Sequence, residues 1–380
     1  MQARVRLPST SVLCAAFLAG AGLPAQAPPA GKVPGLPKGE VVRGITISTH
    51  GIGLEWADPA VMRPTLRRIK DLGAAWVAFH PYAGIREDGS VRWKRTGYGH
   101  RYGRGRRIDS STYWKEPVRL AHEAGLKVLV KPHLAYWGTR FRWRGEISFE
   151  TREEWSRFFR DYRAWILEMA EACKEADGFI VGTELDRTVR FEEEWRGIIA
   201  QVRKRTKAAL SYAANWTDYD RVPFWDALDV IGIQAYFPLT EEEDPKADTL
   251  AEAWKERMEG LRRFALSKRR NIVFTELGYN RSFDAARRPW EHRTDGPEAS
   301  ALQARCLDAA LRAIGEEPCV LGAFLWKWFP GPRPNGRNFQ LATGDLRALI
   351  ARHWKGSGGR RGPRERRTPG KDPGPPDTRK

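Results

Sequence analysis

Apolar residues recur along this chain in two alternating patterns. Short runs of β-branched and aromatic residues are separated by longer stretches with apolar positions three and four apart, the spacing of one helix face. Val41 to Ser48 predicts the first strand. Asp58 before Pro59 is an N-cap followed by proline in the first helical turn. Met62, Leu66 and Ile69 then give that helix its inner face, up to Gly73. Further strands are predicted at Ala75 to Tyr82, Lys127 to Leu134, Phe179 to Leu185, Leu210 to Trp216, Asp229 to Phe237, Asn271 to Tyr279 and Val320 to Phe329. Helices are predicted at Tyr113 to Ala124, closed by Gly125, and after Thr151 and Glu154, which have capping-box spacing. In the latter, Trp155, Phe158, Phe159, Tyr162, Trp165, Ile166 and Met169 form a stripe that reads as core. The remaining helices carry Trp195, Ile198, Ile199 and Val202, or run from Leu250 to Leu266, Pro297 to Ile314 and Leu341 to Trp354.

Strands alternating with helices imply a parallel sheet. Eight such units over roughly 315 residues fit an α/β fold, a single closed (β/α)8 TIM barrel with loop insertions. An open doubly wound sheet would need a glycine-rich phosphate loop after the first strand. His50-Gly51-Ile52-Gly53 is too short and wrongly spaced for one. The Gly- and Arg-rich stretch from Ile85 to Arg107 is long for a loop and is expected to shape a cleft.

The ends of the chain differ from its body. Arg4 and Arg6, an apolar run from Ser11 to Leu23 and Ala25-Gln26-Ala27 read as a signal peptide over 1–27, which implies export. The apolar run is short for a membrane span. Residues 28–40 read as a linker, 41–354 as the barrel and 355–380 as a disordered basic tail with nine basic against three acidic residues. Of the net charge of +18, this leaves +10 on the body. No nucleic-acid-binding motif accompanies it, so the charge is read as a solvated surface and no nucleic-acid partner is expected. Beyond the signal peptide lie Cys173, Cys306 and Cys319. Either Cys306 and Cys319 pair, or all three are buried thiols.

Active sites of such barrels lie at the carboxyl ends of the strands. Here these ends are His80-Pro81-Tyr82, Lys131-Pro132-His133, Thr183-Glu184, Asn215-Trp216, Gln234 and Tyr236, Glu276 and Tyr279, and Trp326-Lys327-Trp328. Glu184 and Glu276 each end an apolar run, where a charge is retained only if it has a use. Two carboxylates across one pocket suit glycoside hydrolysis: one protonates the leaving oxygen, the other attacks the anomeric carbon or activates water. Tyr236 is placed to orient a glutamate, and Trp326, one of 16 tryptophans, to stack under a sugar ring. His80 and His133 are either hydrogen-bonded core histidines or substrate contacts. No third residue has metal-ligand spacing with them, so no metal or organic cofactor is expected. No nucleophile elbow or phosphate loop competes. A non-catalytic glycan-binding barrel and a transglycosylase are the rival readings.

These residues resemble the retaining glycoside hydrolases of clan A, and more narrowly glycoside hydrolase family 113, the β-mannanase-like barrels. The resemblance is carried by Val128 to His133, Val181 to Leu185, Ala213 to Trp216, Phe224-Trp225-Asp226, Asp229 to Pro238, Phe274 to Tyr279 and Trp326-Lys327-Trp328. It implies Glu184 as acid/base, Glu276 as nucleophile, Tyr236 as the hydroxyl that orients Glu276, and Trp326 as the floor under the −1 sugar. Thr183, Asn215, Trp216, His133 and His80 complete the expected substrate contacts of a monomer acting on a polysaccharide or oligosaccharide. Many clan members place Asn directly before the acid/base to hold the sugar 2-hydroxyl. Thr183 stands there in this chain.

Overall fold

The computed structural model describes residues 36, 39–49, 53–93, 113–291, 296–331 and 339–356. The stretch expected to be a signal peptide, most of the expected linker, the Arg-rich stretch from residue 94 onward and the expected tail from residue 357 lie outside the described residues. In chain order the strands are β1 (Val42–Ile47), β2 (Trp76–Phe79), β3 (Tyr82–Ile85), β4 (Val91–Arg92), β5 (Lys127–Val130), β6 (His133–Ala135), β7 (Gly178–Thr183), β8 (Ala209–Asn215), β9 (Ile231–Gln234), β10 (Ile272–Leu277) and β11 (Val320–Trp328). The α-helices are α1 (Pro59–Lys70), α2 (Lys115–Glu123), α3 (Arg152–Ala172), α4 (Glu192–Arg203), α5 (Ala247–Lys268), α6 (Gly296–Glu316) and α7 (Gly344–Lys355).

Eight parallel strands close in the order β1-β11-β10-β9-β8-β7-β5-β2. This is the (β/α)8 barrel expected from the sequence, and closure excludes the open sheet. Six of the seven connections between successive barrel strands contain an α-helix, and α7 follows β11. The connection after β8 uses two 3-10 turns instead, Tyr219–Arg221 and Trp225–Ala227. The local signals act as read. Asp58 accepts from Ala60 N at 2.9 Å. Thr151 and Glu154 cap α3 reciprocally, at 3.2 and 3.0 Å. The aromatic stripe of α3 is core throughout, and Tyr162 donates from it to Val181 O at 2.8 Å.

The predicted strands two and three are shorter than expected. Each meets a proline, Pro81 or Pro132, which lacks the N–H that a ladder uses. Beyond those prolines the chain pairs again, as the small sheet β4-β3-β6. Tyr82 and His133 are therefore register partners on top of the barrel rather than inside its wall. Two apolar layers hold the barrel. One fills the space between strands and helices. The other, Val42, Trp76, Ala78, Leu129, Ile180, Ala213, Val273 and Phe324, lies inside the strands toward their amino ends. Cys173, Cys306 and Cys319 are all buried and free, which settles the alternative left open by the sequence.

Candidate active site

Glu184 and Glu276 stand at the carboxyl ends of β7 and β10, which β8 and β9 separate in the barrel, and the charge of Glu276 reaches Glu184. Glu184 follows the last residue of β7 and adopts a left-handed backbone, φ 49°. An L residue rarely rests there, and the turn is held from both sides. Glu184 N donates to Ala213 O at 2.8 Å. Leu185 N donates to the buried Tyr212 hydroxyl of β8 at 2.8 Å. The side chain is 14% exposed and pairs with Arg144 Nη1 at 2.7 Å. Arg144 comes from the loop after β6 and also donates to Leu134 O at 3.3 Å. Burial pushes the Glu184 carboxyl up; Arg144 opposes this, and the Glu276 charge adds to it.

Glu276 lies within β10 and is 4% exposed. Its Oε2 accepts from the Tyr236 hydroxyl at 2.6 Å. Its Oε1 accepts from Lys131 Nζ, which also donates to Thr275 O at 2.9 Å. An ammonium and a hydroxyl aimed at its two oxygens suit a carboxylate anion. Burial and the Glu276 charge push the Tyr236 hydroxyl well above its ordinary range, so it stays a donor. The Glu276 carbonyl accepts from Ala235 N at 2.7 Å, which ties the end of β9, and with it Tyr236, to β10.

The other expected contacts divide into groups. His80 and His133 are buried and stacked, centroids 5.3 Å apart, with Trp326 5.2 Å from the first and 6.2 Å from the second. Among the described residues, none of their four ring nitrogens has a side-chain hydrogen-bond partner. Burial and the neighbouring cations push both rings well below the ordinary histidine range. Both rings therefore favour the neutral form, in which the 3.6 Å approach of His133 Nε2 to Glu276 carries no ion pair. Thr183 turns its hydroxyl to Pro132 O at 3.0 Å and is 1% exposed. That hydroxyl is already engaged within the wall. Asn215 hydrogen-bonds Asp186. Trp216 stacks on Trp290, centroids 6.0 Å apart and 19° from parallel. Trp290 is 42% and Trp137 68% exposed, and Trp137 lies 5.3 Å from Tyr82. The Trp-rich composition thus serves both the core and an aromatic rim.

Sequence reasoning missed four contributors: Arg144, Asp186, Lys327 and Lys131, the last named only as part of a strand end although it grips Glu276. Arg144 stands among several arginines in a loop, and nothing in the sequence singles it out. Asp186, two residues past Glu184, is pushed up to about 7 by burial and by the charges of Glu184 and Asp218. Lys327 stood at a strand end with no assigned role. Burial pushes its amine down to about 8 against the pull of Glu276. A further cavity of about 1010 Å³ opens at the opposite, amino-terminal end, among Trp76, Gly178, Ala209 and Phe324. That end of such barrels carries stability rather than chemistry. Among the described residues no group of three or more His, Cys, Asp and Glu has metal-site geometry. Among them also, no helix is long and apolar enough to cross a membrane.

A (β/α)8 barrel that sets two interacting glutamates at its strand ends, with a tryptophan beside the lysine that holds one of them, has the architecture of a glycoside hydrolase. Residues 48–334 match Glycoside Hydrolase Family 113. The chain belongs to that family and acts as a glycoside hydrolase on O-glycosyl bonds. Its fold is similar to the GH113 β-mannanase from Alicyclobacillus acidocaldarius, with 25% identity over 83% of this chain and 98% of that one and a TM-score of 0.69. A GH113 β-1,4-mannanase is 20% identical over 83% and 99%, with a TM-score of 0.70. The β-glucuronidase of Ruminococcus gnavus shares the fold at 14% identity over 83% of this chain and 50% of that one, with a TM-score of 0.55. Comparison with curated protein sequences returns no match.

Proposed function

We propose that this is an exported, retaining β-glycosidase that cleaves a β-mannan-type glycan, with Glu184 as acid/base and Glu276 as nucleophile. The observation that carries the reading is the asymmetric setting of two glutamates in one pocket. Glu184 has a raised carboxyl and a single strong cation partner; Glu276 is gripped at both oxygens by Lys131 and Tyr236. Environments that differ in this way divide acid from nucleophile.

In the first step Glu184, protonated, gives its proton to the glycosidic oxygen while Glu276 Oε attacks the anomeric carbon. The leaving sugar departs as an alcohol and a glycosyl ester forms on Glu276. Arg144 then stabilises the Glu184 carboxylate just produced. In the second step that carboxylate takes a proton from water, whose oxygen displaces Glu276 and retains the anomeric configuration. Burial favours the first state of Glu184 and Arg144 the second, and the cycle uses both.

Mannan as substrate is supported by the family and by the mannanase activity named for its similar structures. Export is supported by the residue pattern of 1–27 alone. The deciding experiment is hydrolysis of mannan, glucomannan, xylan and β-glucan by wild type and by Glu276→Gln, with proton NMR of the first anomer released. The expected result is β-mannan cleavage with retention, lowered on the order of 10⁴-fold by the substitution. Inversion, or a rate unmoved by Glu276→Gln, would overturn the assignment.

A further inference from the structure

Three basic side chains share this pocket with the two catalytic-site glutamates, and only two of them are matched. Arg144 is committed to Glu184 and Lys131 to Glu276. Lys327 has no carboxylate within ion-pair reach among the described residues. Its Nζ instead lies 4.9 Å from the Trp326 ring centroid and 5.0 Å from that of Phe329. Lys131 Nζ approaches the Trp326 ring as well, at 5.1 Å. The tryptophan expected to lie under the sugar is thus flanked by two ammonium groups. An amine packed among rings loses hydration and regains only part of it through cation–π contact. The field of Lys327 reaches Glu276, His80 and His133, so its charge belongs to the pocket rather than to the outer surface.

The imbalance grows as the site becomes competent. When Glu184 takes up the proton it must donate, one of the two negative charges disappears and the three basic groups remain. Part of this is offset by Asp186 on the far side of Glu184, fractionally charged near neutral pH. A neutral sugar hydroxyl offers the Lys327 ammonium only a dipole; an anionic oxygen offers it a full opposite charge. The charge of the chain as a whole, +18, has the sign that draws in an acidic polymer.

We propose that the glycan cleaved here carries an anionic group, a carboxylate or a sulfate ester, on the sugar seated at Trp326, and that Lys327 reads it. The substrate is then a β-linked, mannan-type backbone bearing acidic sugars or acidic substituents. Lys131 does not serve this purpose because it is fully buried and spent on Glu276 and Thr275. Lys327 is half-buried near the end of β11, and among the described residues its ammonium has no hydrogen-bond acceptor. This inference rests on the reading that hydrolysis takes place at Glu184 and Glu276.

The test offers matched β-linked oligosaccharides to wild type, Lys327→Arg and Lys327→Met. One oligosaccharide is neutral, one carries a hexuronate and one a sulfated hexose. Wild type is expected to favour one of the acidic pair by on the order of tenfold in kcat/KM, and added salt should shrink that preference. Lys327→Arg should keep the ratio, and Lys327→Met should collapse it. Which acidic substrate is favoured tells carboxylate from sulfate. Equal or faster cleavage of the neutral substrate by wild type would overturn the inference while leaving the hydrolase reading intact. So would a Lys327→Met variant that slows all three substrates equally, as a merely structural role would. The calorimetric affinity of Glu276→Gln for each oligosaccharide decides the matter without turnover. Acidic preference in binding with no cleavage by wild type would keep Lys327 as the reader of an acidic sugar and sink the catalytic assignment on which cleavage rests.

Discussion

At the scale of single residues, Glu184 is governed by two opposed influences. Burial favours its neutral form and Arg144 its anion. Replacing Arg144 by Met leaves burial and the Glu276 charge in place, so the Glu184 carboxyl should rise further. General acid catalysis requires the protonated form, so the alkaline limb of kcat/KM should move to higher pH. The return of the proton from water should slow because the carboxylate has lost its cation. A pH–rate profile of Arg144→Met and Arg144→Lys checks this. An unmoved alkaline limb in the Met variant would remove Arg144 from the account. Much of this site was legible in the chain. Glu184, Glu276, Tyr236 and Trp326 stand at strand ends, where the alternation of side chains and the polarity of the sequence expose them. Arg144 was not legible, because its partner lies 40 positions away and a loop arginine has no periodicity to mark it. Thr183 was legible as a departure from the clan, but only the fold shows its hydroxyl bound to Pro132.

At the scale of elements, the barrel closes along the seam between β1 and β11. Val42 pairs with Gly322 there. Gly322 has φ 144°, and a Cβ at that position would stand 1.9 Å from Val42 O. Backbone cannot yield as a side chain does, so Gly322→Ala should destabilise by more than about 3 kcal/mol. Thermal unfolding with and without the substitution measures it; a melting temperature unchanged from wild type would mean the seam is softer than its geometry indicates. The eight barrel strands and seven helices were readable because each helix buries one face and the strands are short apolar runs, β2, β7, β9 and β10 buried throughout. The small sheet was not. Tyr82 and His133 continue the apolar runs of β2 and β5, so the pattern joins them to the barrel. Pro81 and Pro132 end the wall and redirect the chain, and whether two redirected segments pair depends on their being neighbours in space.

At the scale of the whole molecule, one continuous apolar layer between strands and helices encloses all three barrel thiols. Burial pushes Cys173 and Cys306 up to about 12 and Cys319 higher still. A chain starting at residue 28 should therefore show no thiol reactive toward an aromatic disulfide reagent at mildly alkaline pH, and three after denaturation. A fast-reacting thiol in the folded protein would mean that the layer opens. Local spacing alone determined the number of barrel strands and their order along the chain, because hydrophobic period and capping are properties of neighbouring positions. The chain could therefore announce a barrel and nominate its glutamates. Only the closed tertiary structure decided which cation faces which carboxylate and which amine remains unmatched, because those relations join positions distant in sequence. Electrostatic energy depends on distance in space, and a sequence does not contain that distance until the barrel has closed.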